Sequence, residues 1–206
     1  MSQTANTYRT IKKEGRGVFK DRGSKFIAYA YPVKSQQEIK QKLEELKKKH
    51  HNARHHCYAW RTGPGKEQSR QNDDGEPSGT AGRPIMGQIQ SYDLTNILIV
   101  VVRYFGGTLL GSGGLINAYR GAAAEAIENG GPVKREVSCT YEIEFSYAVM
   151  NDVMTVIKDE KVRRVQEDFT RHCRFIVALP RERAERFAGR LEKIPEVYTI
   201  KHIETG

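Results

Sequence analysis

Ile97-Leu98-Ile99-Val100-Val101-Val102-Arg103-Tyr104-Phe105-Gly106-Gly107 is the stretch from which the fold is read. Six uninterrupted aliphatic residues, most of them β-branched, predict a strand buried on both faces. Five glycines fall within the nine residues from Gly106 to Gly114, so the strand runs into a tight, glycine-dense turn. Beyond it, Ala118, Ala122, Ala123 and Ala126 recur at helical spacing and predict a closely packed helix over residues 115–129, stopped by Gly130-Gly131. With the strands and helices read on either side of it, the chain is placed in the α+β class, as two domains.

Upstream, residues 8–12, 17–20 and 26–31 read as paired strands, with Lys20-Asp21-Arg22-Gly23 as a turn. Ser35-Gln36-Gln37-Glu38 fits a capping box, and Ile39, Leu43 and Leu46 give the following helix one apolar stripe. Residues 57–61 read as a short strand and residues 62–79 as a loop rich in Gly, Pro, Asp, Ser and Gln. A helix of about three turns is expected from near Thr80 to before Asp93. Residues 132–137 read as the boundary between a first domain, 1–135, and a second, 136–206. The second domain alternates as strand, helix, strand, strand, helix, strand, the ferredoxin-like βαββαβ order. That order is shared by many activities and names none.

Charge separates the two domains. Residues 1–136 hold 22 Lys+Arg against 13 Asp+Glu, whereas residues 137–206 hold 12 of each, so the whole net charge of +9 lies in the first domain. Such an excess attracts a polyanion such as RNA. The longest aliphatic run is six residues, against the ~20 that span a bilayer, so no membrane partner is expected. The opening residues Met-Ser-Gln-Thr-Ala-Asn-Thr show no leader pattern, and a cytoplasmic location is expected. Cys57, Cys139 and Cys173 have no metal-binding or disulfide spacing and read as reduced, buried thiols.

The candidate site lies between Asp73 and Arg120. Ser78-Gly79-Thr80 and the Gly106, Gly107, Gly113 and Gly114 set each precede a helix, where unpaired N–H groups and the helix dipole favour anions. With Arg83, Arg103 and Arg120 these two helix starts form a candidate phosphate or RNA-backbone site, and His56 is expected to face the same cleft. Asp73, Asp74 and Glu76 have two readings. They coordinate Mg²⁺ or act as acid and base, or they cap the helix near Thr80 and pair with nearby arginines; the last is preferred because no nucleophile or base stands beside them. A Walker loop is excluded by the missing Gly-Lys-Ser/Thr, and neighbouring His55 and His56 point to opposite faces of a strand, which disfavours a metal site. No cofactor and no metal are expected.

The run Asp74-Gly75-Glu76-Pro77-Ser78-Gly79-Thr80-Ala81-Gly82-Arg83-Pro84, together with Val102-Arg103-Tyr104-Phe105-Gly106-Gly107 and its continuation to Tyr119, resembles the signature of the IMPACT/YigZ family. The likeness covers most of residues 15–130, and the second domain is similar to the bacterial YigZ type in length and element order. The resemblance implies a first domain folded like the second domain of a small-subunit ribosomal protein and a second like the last domain of elongation factor G. Domains of these kinds stand in tandem in that factor where it engages the ribosome. Eukaryotic relatives are translation regulators that bind a ribosome-associated activator of a stress kinase through an additional N-terminal domain, which is not expected here. The resemblance brings no catalytic residues. The expected function is therefore a non-catalytic, translation-linked factor that binds RNA or the ribosome, with a translation-related protein as a further partner. Two alternatives remain: an enzyme or sensor for a phosphorylated small molecule, and a protein-interaction module using the neutral ferredoxin-like domain.

Overall fold

The computed structural model describes residues 6–205. Contacts divide the chain into two units, one spanning Tyr8–Arg135 and the other running from Glu136 onward and including Asn6 and Thr7.

The first unit contains β1 (Thr7–Ile11), β2 (Gly15–Asp21), β3 (Ser24–Pro32), α1 (Gln36–Lys49), β4 (His55–Thr62), β5 (Gln68–Asn72), α2 (Gly82–Ser91), β6 (Ile97–Tyr104), α3 (Gly111–Gly130) and β7 (Pro132–Glu136). Five strands form one sheet in the order β2-β3-β6-β4-β5, antiparallel at every junction. The aliphatic run is its central strand. Ile97, Ile99 and Val101 face α2 and α3, whereas Leu98, Val100 and Val102 face α1. Continuous apolar sequence here marks helices on both faces of an antiparallel sheet, so burial alone, without parallel pairing, accounts for the pattern.

Local chemistry sets the connections. Arg22 and Gly23, with φ of 44° and 77°, form the two-residue turn between β2 and β3, the twist-matched geometry for a hairpin. Ser35 Oγ accepts from Glu38 N at 3.2 Å, and the Glu38 carboxylate reaches back to Lys34 N at 2.8 Å. The α3 helix lies against β2 so closely that a Cβ at Gly15 would stand 2.0 Å from Ala126 O, and one at Gly17 2.4 Å from Ala122 O.

Three elements go beyond the sequence reading. β5 occupies part of the expected loop; its residues are polar because it is an exposed sheet edge. Residues 132–136, within the stretch read as the boundary, form β7, which pairs with β1. Helix α3 begins a turn early: Gly111 opens it with a left-handed φ of 67°, and Ser112, Gly113 and Gly114 form its first turn despite their composition.

The second unit contains β8 (Ser138–Phe145), a 3-10 turn (Tyr147–Val149), α4 (Met150–Asp159), β9 (Arg163–Phe169), β10 (Cys173–Pro180), α5 (Arg181–Leu191) and β11 (Val197–Thr205). Its antiparallel sheet runs β11-β8-β10-β9, and Val153, Ile157, Phe187 and Leu191 pack with Ile143, Phe145, Phe175 and Val177. This is the ferredoxin-like arrangement, and the protein is α+β throughout. Among the described residues no helix is long and apolar enough to cross a membrane.

Candidate functional site

The segment between β5 and α2 is organised by carboxylates. Asp74 and Gly75 take φ of 42° and 84°, and Glu76 N donates to Asp73 O at 2.9 Å, closing a tight turn. Asp73 then caps α2 from outside the helix. Its Oδ1 accepts from Ala81 N at 3.0 Å and Gly82 N at 2.8 Å, and its Oδ2 accepts from Gly79 N at 2.9 Å. Burial raises its carboxyl, but the Gly79, Gly82 and Ala81 amides outweigh burial and hold it below the usual range. The amides read as an anion dock at Ser78-Gly79-Thr80 therefore already bind an anion, which is Asp73 itself. Thr80 is buried with its hydroxyl donating to Pro77 O at 2.6 Å, and Ser78 is exposed.

Arg103 is also internally engaged. It projects from β6 on the same face as Ile99 and Val101, is 7% exposed, and donates through Nη1 to both Glu76 oxygens at 2.7 and 2.9 Å. Tyr119 of α3 donates to Glu76 Oε1 at 2.8 Å, and the Cys57 S–H lies 3.3 Å from Tyr119 Oη and 2.9 Å from Asp73 O. Burial, followed by the neighbouring Cys57 and Glu76, drives the Tyr119 phenol far up, so it stays a neutral donor. Burial likewise drives the Cys57 thiol up and keeps it protonated. The result is a closed network in which a buried pair is satisfied on the carboxylate side. Among the described residues, Arg103 Nε has no partner.

The three acidic residues point to three different partners. Asp73 takes the α2 amides, Glu76 takes Arg103 and Tyr119, and Asp74 Oδ2 accepts from His56 N at 2.7 Å. Among the described residues no three His, Cys, Asp or Glu side chains converge as metal ligands. His56 is buried, with Nε2 unpartnered, and burial pushes its imidazole below the ordinary value against the pull of Asp74. His55, on the opposite face of β4, is the histidine that reaches a surface cavity.

Two of the depressions on this unit are lined by residues singled out above. One, of about 640 Å³, lies where β6 ends and β4 begins, and is lined by Arg54, His55, Arg103, Tyr104 and Phe105 among others. The other, of about 550 Å³, is a groove between α2 and α3 lined by Gly79, Arg83, Gly87, Gln88, Ile116 and Arg120 among others. Arg83 and Arg120 are exposed, and neither is paired with a carboxylate among the described residues. A Cβ at Gly79 or Gly87 would meet nothing within 4 Å. Glycine within a helix costs about 0.5–1 kcal/mol relative to alanine, and no packing need within the fold accounts for it at Gly87.

The glycines after β6 serve different ends. Gly106 presses on the β2–β3 turn, where a Cβ would stand 1.9 Å from Gly23 C, and its N–H donates to Ser24 Oγ at 3.1 Å. Gly114 backs onto the Leu110 side chain, whereas Gly107 and Gly113 face open space. Leu110 gives α3 no side-chain cap, and its first turn holds no acidic residue.

The structure thus brings Gly79, Arg83 and Arg120 to one groove, gathers Glu76 and Arg103 in a buried network, and sets Asp74 beside His56. The sequence reading passed over Tyr119, Arg54, Phe105 and Gly87. Parity along β6 carried a signal for Arg103, two residues beyond Val101 on the core face.

Comparison with known proteins gives consistent matches. Residues 22–127 match the Impact N-terminal domain. The chain is 33% identical over 156 residues to IMPACT family member YvyE of Bacillus subtilis, covering 76% of this chain and 72% of that one. It is 32% identical over 171 residues to IMPACT family member YigZ of Escherichia coli, covering 82% and 83%. A crystal structure of a hypothetical protein superposes with a TM-score of 0.73 at 28% identity, covering 97% of this chain and 98% of the other.

Proposed function

This chain belongs to the IMPACT family, and on that footing we propose that it is a translation-linked regulatory factor that binds RNA or the ribosome and performs no catalysis of its own. The observation that carries the reading is the α2–α3 groove. Two exposed, carboxylate-free arginines, Arg83 and Arg120, flank it, and two glycines, Gly79 and Gly87, keep its wall bare. A phosphate backbone needs this combination of cations with close access to the main chain. The groove belongs to the unit that carries the net positive charge, which adds long-range attraction. Translation enters through the family, whose resemblance implies domains of the kinds that engage the ribosome. A metal-dependent phosphate chemistry draws no support, because Asp73, Asp74 and Glu76 are each committed to a different partner. A cytoplasmic location accompanies this proposal.

The test is co-sedimentation of the purified protein with ribosomes over a salt series. Phosphate-dominated binding falls linearly in log K against log salt. Pelleting that declines steeply with salt supports the reading; no pelleting at any ionic strength contradicts it.

A further inference from the structure

We infer that the cavity at the end of β6 is a base-stacking subsite for single-stranded RNA, with Phe105 as its platform; this rests on the RNA-binding reading above and gives it a second contact. Phe105 is 54% exposed and lines the cavity together with the still more exposed Leu109. The Phe105 ring is nevertheless held in place. The Arg103 guanidinium lies between two rings, 5.5 Å from the centroid of Phe26 and 5.6 Å from that of Phe105. The guanidinium is in turn fixed by both oxygens of Glu76. A buried cation thereby orders an exposed ring, and the rest of that ring is left to solvent.

The polar lining fits a nucleotide. Arg103 lines the cavity with its guanidinium already held by Glu76. Arg54 is exposed and has no carboxylate partner among the described residues, and Asn52 and His55 supply further hydrogen-bonding groups on the same wall. No carboxylate lines the cavity. Its volume of about 640 Å³ lies in the range of small-molecule sites. A flat π-face, an unpaired arginine and an acid-free wall favour a stacked base with its phosphate over an apolar protein side chain. Single-strand binders use this pairing of aromatic platforms with cationic tracks. A duplex keeps its bases stacked and cannot use the platform, so the subsite distinguishes single from double strands.

The test is fluorescence anisotropy of the full chain with a labelled oligouridylate decamer and, separately, an RNA duplex of the same length. Phe105→Ala is expected to lose about 5- to 100-fold in affinity for the single strand and nothing for the duplex, while Phe105→Tyr keeps both. A decamer carrying 5-iodouridine is expected to crosslink at the peptide containing Phe105. Equal binding by wild type and Phe105→Ala, equal losses on both RNAs, or crosslinks confined to other peptides overturn the subsite. Loss of both RNAs only on Arg83→Ala and Arg120→Ala, with Phe105→Ala silent, leaves the function standing and removes this inference alone. Absence of all RNA and ribosome binding in the wild type removes both.

Discussion

Arg103 Nη1 stands 2.7 Å from Glu76 Oε1 and 2.9 Å from Oε2, joining the central strand of the sheet to the turn that precedes α2. Both side chains are nearly inaccessible, at 7% and 2%. The pair belongs to the two sequence segments that most mark the family resemblance, and the structure makes each the partner of the other. What reads in sequence as a surface cation and a surface acid is one internal bond.

Removing one member leaves the other charge buried. Glu76→Gln or Arg103→Met is expected to cost about 3–5 kcal/mol in urea unfolding. The double variant is expected to cost clearly less than the sum of the two single losses. Additive losses would place the two side chains outside one interaction. Arg103→Ala is accordingly unsuited as a probe of RNA contact, because it acts on the fold first.

Asp73 gives an acid-sensitive cap. Its folded carboxyl lies below the unfolded value, so its contribution is fully present above the unfolded pKa of about 4 and is lost as pH falls through the folded one. Asp73→Ala is expected to cost about 1–3 kcal/mol at pH 7. The stability gap between wild type and this variant should stay constant above about pH 5 and shrink toward pH 3. A gap that is flat down to pH 3 would show that the carboxylate charge is not what the amides need.

His56 works in the opposite chemical sense, with the same direction in pH. Burial depresses its folded pKa, so the neutral ring is favoured in the fold. Its stabilising difference is complete above the unfolded value of about 6.5 and declines as pH falls below it, because the unfolded chain takes up the proton first. His56→Leu, which removes the unpartnered Nε2, should flatten the loss of thermal stability between pH 7 and pH 5. An unchanged pH profile would assign that loss to other groups.

Gly15 and Gly87 should respond oppositely to alanine. A Cβ at Gly15 collides with main-chain oxygen of α3, whereas one at Gly87 meets nothing within 4 Å. Gly15→Ala is expected to destabilise strongly, by overpacking of about 1–3 kcal/mol or more. Gly87→Ala is expected to stabilise by about 0.5–1 kcal/mol while weakening ribosome binding by narrowing the groove. A Gly87→Ala protein that is more stable and binds as well as wild type would remove the functional reason for that glycine.

Much of the architecture was legible because it follows from local chemistry. Ser35 and Glu38 announced α1, the aliphatic run announced β6, and the alternation after residue 137 announced the ferredoxin-like order. β5 was hidden because an exposed edge strand has no apolar face to betray it. The start of α3 was hidden because its first turn, Gly111 to Gly114, has the composition of a loop. At the site, capping and arginine pairing by the acidic loop were readable as possibilities. Which acid did which was not, since Asp73 caps α2 across eight and nine residues to Ala81 and Gly82, and Glu76 meets Arg103 across 27. Such choices are made by tertiary packing.

Polyanion binding in the α2–α3 groove is measured most directly as ribosome affinity against salt for wild type and the Arg83→Ala/Arg120→Ala double variant. The variant is expected to pellet more weakly, with a log–log salt slope shallower by about 2 and an unchanged melting temperature. Identical affinity and slope in the two proteins would contradict it.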